Sequence, residues 1–89
     1  MHSAPETLRD AGPYVAQPVN AGNDPNGNSR RGWIVYAAVG NYAHVVAFLE
    51  EGDTRRFRTH YGPLAESGIS LRVPVREYSR MRREWGLIF

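Results

Sequence analysis

The feature that most constrains the fold is a pair of apolar runs separated by two turn residues. Residues 33–39 are Trp-Ile-Val-Tyr-Ala-Ala-Val, residues 42–49 are Tyr-Ala-His-Val-Val-Ala-Phe-Leu, and Gly40 and Asn41 lie between them. Aromatic and β-branched residues favour strands, and two such runs separated by Gly and Asn are typical of strands joined by a two-residue hairpin turn. The sequence therefore predicts a β-hairpin over residues 33–49.

A two-residue loop also determines the register of the predicted hairpin, and with it the face on which each side chain lies. The pairs predicted on one face are Trp33 with Phe48, Val35 with Val46, Ala37 with His44, and Val39 with Tyr42. The other face is predicted to contain Ile34, Tyr36, Ala38, Ala43, Val45 and Ala47. Both faces are apolar near the middle, so we expect a central hairpin whose bulkier face, with Trp33 and Phe48, packs against the core.

The chain before the hairpin has the composition of a loop. Residues 1–30 contain four of the six prolines and four of the five asparagines. Within this segment, residues 13–19 are compatible with a short edge strand, because proline in a sheet is confined to strand ends and edges. Residues 20–29 are almost entirely turn-forming. We therefore predict a loop-rich N-terminal segment over residues 1–30 and a single α+β domain over residues 31–89.

The segment after the hairpin has two possible structures. A helix over residues 54–61 is favoured, because Asp53 or Thr54 can cap its start and a Gly-Pro pair follows its end. Phe57 would then face inward. A strand over residues 55–59 is the alternative.

The C-terminal part is predicted to contain a strand and a helix. Residues 69–73 alternate apolar with polar side chains, which indicates a half-buried strand. The following proline suits the first turn of a helix over residues 74–85. That helix is predicted to place Val75, Tyr78, Met81 and Trp85 on one side and Arg76, Arg80 and Arg83 on the other. The apolar residues 87–89 are expected to fold back on the core or to extend a sheet edge.

These elements together predict the fold class. We expect a small single α+β domain with an antiparallel sheet of three or four strands. Its central hairpin, residues 33–49, is predicted to be packed by the C-terminal helix, residues 74–85.

No chemistry is visible in the composition. The chain has 89 residues and no cysteine, and its three histidines lack the spacing of metal ligands. No serine lies in the context of a nucleophile elbow, and no apolar run approaches the ~18 residues of a membrane span. We therefore expect no enzymatic activity, catalytic residue, metal or cofactor, and an intracellular soluble protein without a membrane partner.

The charges divide unevenly along the chain, although the net charge is only +2. All eleven basic residues are arginine; residues 1–54 contain three of them with six acids, and residues 55–89 contain eight with three acids. Glu50, Glu51 and Asp53 form an acidic cluster at the hairpin end. The sequence therefore leaves two possible contact surfaces for a protein partner: this acidic cluster, or the helix face with Arg76, Arg80 and Arg83. A nucleic-acid surface would instead use Arg55, Arg56, Arg58, Arg76, Arg80 and Arg83.

Three segments are similar in sequence character to a known class of proteins. They are Asn26-Gly27-Asn28-x-Arg30-Arg31-Gly32-Trp33-Ile34-Val35-Tyr36, Val46-x-Phe48-Leu49-Glu50-Glu51-Gly52 and Pro74-x-x-Glu77-Tyr78. Over roughly residues 20–80 the chain resembles small orphan proteins of phages and mobile elements in GC-rich bacteria, some of which are anti-CRISPR inhibitors. The resemblance implies a protein that occupies a surface of a larger nucleoprotein machine in the cytoplasm of a bacterial host cell.

The leading functional hypothesis is a non-enzymatic protein-binding inhibitor that acts sterically on a host defence complex of the CRISPR type. A small arginine-rich nucleic-acid-binding protein is the first alternative. A structural or assembly component of a phage is the second. The oligomeric state is not predicted.

Overall fold

Two helices and five strands form the part of the chain that the computed structural model describes, residues 13–23 and 25–86. The elements in chain order are β1 (Tyr14–Asn23), β2 (Ser29–Val39), β3 (Tyr42–Glu50), α1 (Asp53–Tyr61), β4 (Leu64–Glu66), β5 (Leu71–Arg72) and α2 (Val75–Trp85). The α+β fold class is confirmed. Residues 1–12 and 87–89, including the predicted apolar tail, lie outside the described residues.

The five strands form one mixed sheet in the order β3-β2-β1-β4, with β5 also paired to β1. The β1–β2 and β2–β3 pairs are antiparallel, whereas β4 and β5 run parallel to β1. The prediction of an antiparallel sheet of three or four strands therefore missed its parallel part. The predicted hairpin is present as β2 and β3, but β3 is an edge strand, so the hairpin is not central.

Strand β1 occupies the position predicted for the hairpin, in the middle of the sheet. It pairs with β2 on one side and with β4 and β5 on the other. Ala16 and Asn20 accept backbone hydrogen bonds from Ser67 and Val73, so Pro18, between them, also turns its nitrogen toward this second side. That nitrogen faces the break between β4 and β5, where a missing N–H costs no ladder bond.

The described part of the N-terminal segment therefore differs from its prediction. Residues 13–19 do not form an edge strand but belong to the central strand, which continues to Asn23. Residues 14–23 and 29–30 are part of the sheet, so the described part of the segment predicted to be loop-rich is mostly strand. Composition misled here because a strand interrupted on one side tolerates the proline that usually excludes a central position.

A β-bulge in the hairpin changes the predicted register. Near the turn, Ala37 lies opposite His44 and Val39 opposite Tyr42, as predicted. Beyond a register shift between Val35 and Tyr36, Trp33 lies opposite Leu49 and Val35 opposite Ala47. The extra residue in β3 moves Phe48 to the face opposite Trp33, because side chains alternate along a strand. The predicted pairs of Trp33 with Phe48 and Val35 with Val46 are therefore wrong.

Both predicted helices are present. Helix α1 excludes the alternative strand over residues 55–59 and buries Phe57, as predicted. Its N-cap is Gly52, in the left-handed region with a φ of 94°, and no side chain caps it. The predicted cap by Asp53 or Thr54 is therefore wrong.

Helix α2 begins at Val75 and follows Pro74, which is its N-cap. Tyr78 and Met81 are buried and Trp85 is half-buried, as the spacing predicts, but Val75 is exposed. The predicted strand over residues 69–73 is reduced to β5, and Ile69 is 75% exposed. Alternation predicted a longer strand, but only Leu71 and Arg72 pair with residues of β1, and Val73 adds one backbone hydrogen bond to Asn20.

The two helices pack on opposite faces of the sheet. On one face, Phe57 of α1 packs with a cluster that contains Tyr14, Val35 and Leu49. On the other, Tyr78 and Met81 of α2 pack with a second cluster. That cluster consists of the buried residues Val19, Ile34, Phe48, Tyr78 and Met81. Neighbouring residues along the strands thus contribute to different cores, which explains why both faces of the hairpin are apolar.

Candidate interaction surfaces

The acidic cluster at the end of β3 is largely engaged within the chain. The Glu50 carboxylate forms an ion pair with Arg82 of α2. The Asp53 carboxylate accepts a hydrogen bond from the backbone N–H of Glu50, with an N···O distance of 3.0 Å. Glu51 is exposed. The structure brings the three predicted acids together but gives two of them partners inside the molecule.

Two shallow depressions flank Glu50. One has a volume of about 180 Å³ and is lined by Phe48, Glu50, Asp53, Arg82 and Gly86. The other has a volume of about 170 Å³ and is lined by Ser29, Arg30, Arg31, Glu50, Glu51 and Tyr78. Both are smaller than the roughly 300 Å³ at which small-molecule sites begin.

The outward face of α2 has nearly balanced charges. Arg80 donates hydrogen bonds to Glu77, at 3.0 Å from its Nε, and to Glu84, at 2.7 Å. The hydrogen bond from Arg80 lowers the pKa of Glu77, and the same bond raises the pKa of Arg80. Arg76 and Arg83 are exposed on the same helix. The predicted arginine face exists, but its central arginine is held between two carboxylates.

The arginines of α1 lie on the other side of the sheet. Arg55, Arg56 and Arg58 are exposed, and Arg58 forms an ion pair with Glu66 of β4 at 3.5 Å. Because α1 and α2 cover opposite faces, these residues do not share a surface with Arg76, Arg80 and Arg83. The six arginines predicted as one nucleic-acid surface are therefore divided into two groups of three.

Tyr78 connects the cluster under α2 to the polar contacts at its border, which involve Arg31, Glu50 and Arg82 and which we call the polar rim. Its ring packs edge to face on Phe48, with centroids 5.2 Å apart, and its hydroxyl donates a 2.9 Å hydrogen bond to the backbone carbonyl of Arg31. The Arg30 guanidinium lies 5.6 Å from the ring centroid. Burial raises the pKa of Tyr78, and the nearby Glu50 carboxylate adds to that rise.

An apolar part of the sheet lies on the α2 side but beyond the buried cluster under that helix. We call it the open face and define it as Val15, Tyr36, Ala38, Ala43 and Val45. Val15 lies opposite Tyr36, which lies opposite Val45, so these three form a row across β1, β2 and β3. Ala38 and Ala43 form the next pair toward the hairpin turn.

The exposure of the open face distinguishes it from the core. Val15 is 41% exposed, and Ala38 and Ala43 are exposed, whereas Tyr36 and Val45 are half-buried against the α2 cluster. Contiguous exposed apolar surface of this kind marks interaction sites in soluble proteins. The sequence predicted that Tyr36, Ala38, Ala43 and Val45 share a face of the hairpin, but not that Val15 of the central strand β1 lies beside them or that α2 leaves them uncovered.

Neither metal clusters nor membrane-spanning helices occur within residues 13–23 and 25–86. No three His, Cys, Asp or Glu side chains there are grouped as a metal ion would require. No helix there is both long and apolar enough to cross a bilayer. Comparison of the chain with protein-family models, curated proteins and solved structures finds no match.

Proposed function

We propose that this chain is a non-enzymatic protein-binding inhibitor from a phage or mobile element. In this proposal it acts in the cytoplasm of a bacterial host by occupying a surface of a CRISPR-type nucleoprotein complex. The open face is the observation that supports a protein partner. It presents adjacent apolar side chains from three strands, and a rigid sheet holds them in place before binding.

The distribution of charge favours a protein partner over nucleic acid. The open face contains no charged side chain, whereas nucleic-acid binding depends on several cations that meet one phosphate backbone. The arginines are divided between two helices on opposite faces, and Arg80 is already paired with carboxylates. Glu50, Asp53 and Arg80 therefore have structural roles in this proposal rather than direct contact with the partner.

Two valines with equal exposure provide a matched test. Val15 lies on the open face and Val75 at the start of α2, and each is 41% exposed. Val15→Glu would bury a charge in the interface, which is costly, whereas Val75→Glu would leave the open face unchanged. Each variant should first be shown to fold by circular dichroism.

The assay is phage infection of cells with an active CRISPR-type defence. Expression of the wild-type chain or of Val75→Glu should restore plaque formation, and Val15→Glu should not. In surface plasmon resonance with the purified effector complex, Val15→Glu should weaken binding at least about tenfold, which corresponds to about 1.4 kcal/mol. Equal activity of the two folded variants, or no restoration by the wild-type chain, would contradict the proposal.

Nucleic-acid binding is the alternative that the same protein can test directly. Fluorescence anisotropy with duplex DNA and single-stranded RNA over a range of salt would compare two triple-alanine variants. One changes Arg55, Arg56 and Arg58, and the other changes Arg76, Arg80 and Arg83. A steeply salt-dependent affinity that either variant abolishes would replace the inhibitor proposal with a nucleic-acid-binding function. Open-ended assemblies in sedimentation would favour a phage assembly component.

A further inference from the structure

We propose that β3 pairs with β3 of a second copy of this chain, antiparallel and about a twofold axis beside His44. Within the described residues, β3 is the end of the sheet, and no strand pairs with its outer side. A long edge strand with unpaired backbone groups is a template for another strand. Ala43 and Val45 belong both to this edge and to the open face, but the inference uses their outward backbone groups rather than their side chains, so it does not depend on the proposed function.

The hydrogen bonds of β1 show which β3 residues turn their backbone outward. Ala16 and Asn20 of β1 face β4 and β5, so Val15 faces β2, where it lies opposite Tyr36. Tyr36 consequently directs its own backbone groups toward β1 and away from β3. Val45, which lies opposite Tyr36, must then direct its N–H and C=O to the outer edge.

The same alternation applies along the regular part of β3 before the bulge. Ala43, two residues before Val45, also turns its N–H and C=O outward, whereas His44 between them faces β2. A second β3 can bond both outward residues in one antiparallel register. That register places Ala43 of each copy opposite Val45 of the other, so His44 lies opposite its own counterpart.

The side chains along this edge suit a second copy better than a charged peptide. From Tyr42 to Leu49 there is no arginine, acid or proline, so self-pairing brings neither two guanidinium groups nor two carboxylates together. Charged side chains and proline, two of the devices that usually protect an edge strand, are absent from this stretch, and the bulge in β3 lies at the end of the proposed paired segment, beyond Val45. The small side chain of Ala43 also leaves the backbone accessible.

The proposed register gives an exposed aromatic side chain a neighbour. Tyr42 is 74% exposed and contacts His44 on the same face, with ring centroids 6.4 Å apart. Pairing places Tyr42 of one copy beside Val46 of the other. Tyrosine at the centre of an interface is a common source of binding energy. A closed twofold pair of this kind gives a dimer rather than a filament.

Because the chain contains no cysteine, single-cysteine variants report the register directly. In His44→Cys the two Cα atoms across the axis would lie about 4.5 Å apart, the spacing of a non-hydrogen-bonded pair, which a disulfide can span. In Ala43→Cys they would lie about 8–9 Å apart, beyond the ~7 Å limit of a disulfide. Under mild oxidation, His44→Cys should form a disulfide-linked dimer that a reductant separates. Ala43→Cys should remain a monomer with a free thiol.

Two further variants keep the test valid if the cysteine substitution disturbs the fold. Ala43→Pro removes an outward N–H without removing a bond to β2, whereas Ala43→Thr keeps it. In sedimentation equilibrium of the full chain, we expect a dimer for wild type and Ala43→Thr. The Ala43→Pro dissociation constant should rise about tenfold or more.

Three results would overturn the inference. The first is a wild-type chain that stays monomeric up to about 1 mM. A dissociation constant of that size corresponds to a binding free energy of only about 4 kcal/mol. The second is equal dimerisation of folded Ala43→Pro and Ala43→Thr. The third is equal cross-linking through positions 43 and 44, which would indicate collision or another register.

Discussion

The two faces of the sheet are closed in different ways. On the α1 face, Phe57 is fully buried and packs edge to face on Tyr14, with ring centroids 5.1 Å apart. On the α2 face, the Phe48–Tyr78 pair at 5.2 Å has the same geometry, but polar contacts border it: the Tyr78 hydroxyl donates to the Arg31 carbonyl, and Arg82 forms an ion pair with Glu50. The α1 face depends mainly on apolar packing, whereas the α2 face combines packing with a polar rim.

The connections to the helices help to explain this difference. Helix α1 follows β3 after only Glu51 and Gly52, so its position is set locally. Helix α2 follows β5 and reaches across the sheet to Arg31 of β2 and Glu50 of β3. Its placement relies on contacts with residues far away in sequence, and it leaves the open face beyond its packed residues.

The largest expected effect is on the α1 face. Phe57→Ala removes the ring that α1 inserts between Tyr14 and Tyr61, and should lower the free energy of unfolding by about 3–5 kcal/mol. Urea denaturation monitored by circular dichroism would measure the loss. Met81→Ala is the counterpart on the α2 face. If it cost more than Phe57→Ala, the stated difference between the faces would be wrong.

A close backbone approach on the α2 face should give the next largest effect. A Cβ at Gly32 would lie 2.5 Å from Cζ of Phe48 and 2.7 Å from the carbonyl oxygen of Leu49. Gly32→Ala should therefore lower the free energy of unfolding by about 1–3 kcal/mol through overpacking. Gly68→Ala is the control, because a Cβ there meets nothing within 4 Å. Equal denaturation midpoints for the two variants would contradict the packing argument.

The polar rim should contribute less than the packing beneath it. Tyr78→Phe keeps the ring but removes the hydrogen bond to the Arg31 carbonyl, and should cost about 1 kcal/mol at pH 7. Folding raises the pKa of Tyr78, so its neutral form contributes fully below pH 10.0, its ordinary value, and loses that contribution at higher pH. The stability difference between wild type and variant should therefore shrink above pH 10. A difference independent of pH would show that the hydroxyl bond is not responsible.

The smallest effect is expected on the outward side of α2. The hydrogen bond from Arg80 lowers the pKa of Glu77, so its stabilisation is present above the ordinary pKa of 4.5 and is lost as the pH falls through the lower folded value. Glu77→Gln should slightly reduce the pH dependence of the free energy of unfolding below pH 4.5. It should hardly change that free energy at pH 7, because exposed ion pairs contribute little. Thermal unfolding at pH 3 and pH 7 would measure this. Glu66→Gln, in the exposed pair with Arg58, is the comparison variant.

Local signals in the sequence predicted several elements. The Gly-Asn pair predicted the hairpin turn, and Phe57, Tyr78 and Met81 were predicted to face inward on their helices. These predictions depend on neighbours within a few residues, where spacing and turn chemistry are sufficient. The prediction of an edge strand near Pro18 failed, because only the break between β4 and β5 allows proline in a central strand.

The candidate site was predicted less well than the fold. The sequence identified the charged residues, but the structure pairs Glu50 with Arg82 and places the two arginine groups on opposite faces. Four of the five open-face residues, Tyr36, Ala38, Ala43 and Val45, were predicted to share one face of the hairpin, but the sequence did not show that Val15 of β1 extends this face or that α2 leaves it uncovered. The bulge in β3, which moves Phe48 to the α2 side, was also missed, because a bulge has no reliable local pattern in an apolar strand.

The sequence by itself determined the α+β class, the hairpin turn and the inward sides of both helices, because turn residues and apolar periodicity act over short distances. Only the tertiary structure decided that β1 is central, that β3 forms an edge, and that α1 and α2 cover opposite faces. Those outcomes depend on strand pairing between distant segments. Strand pairing is determined by the combined packing of both faces of the sheet, and the sequence of one segment does not specify that packing.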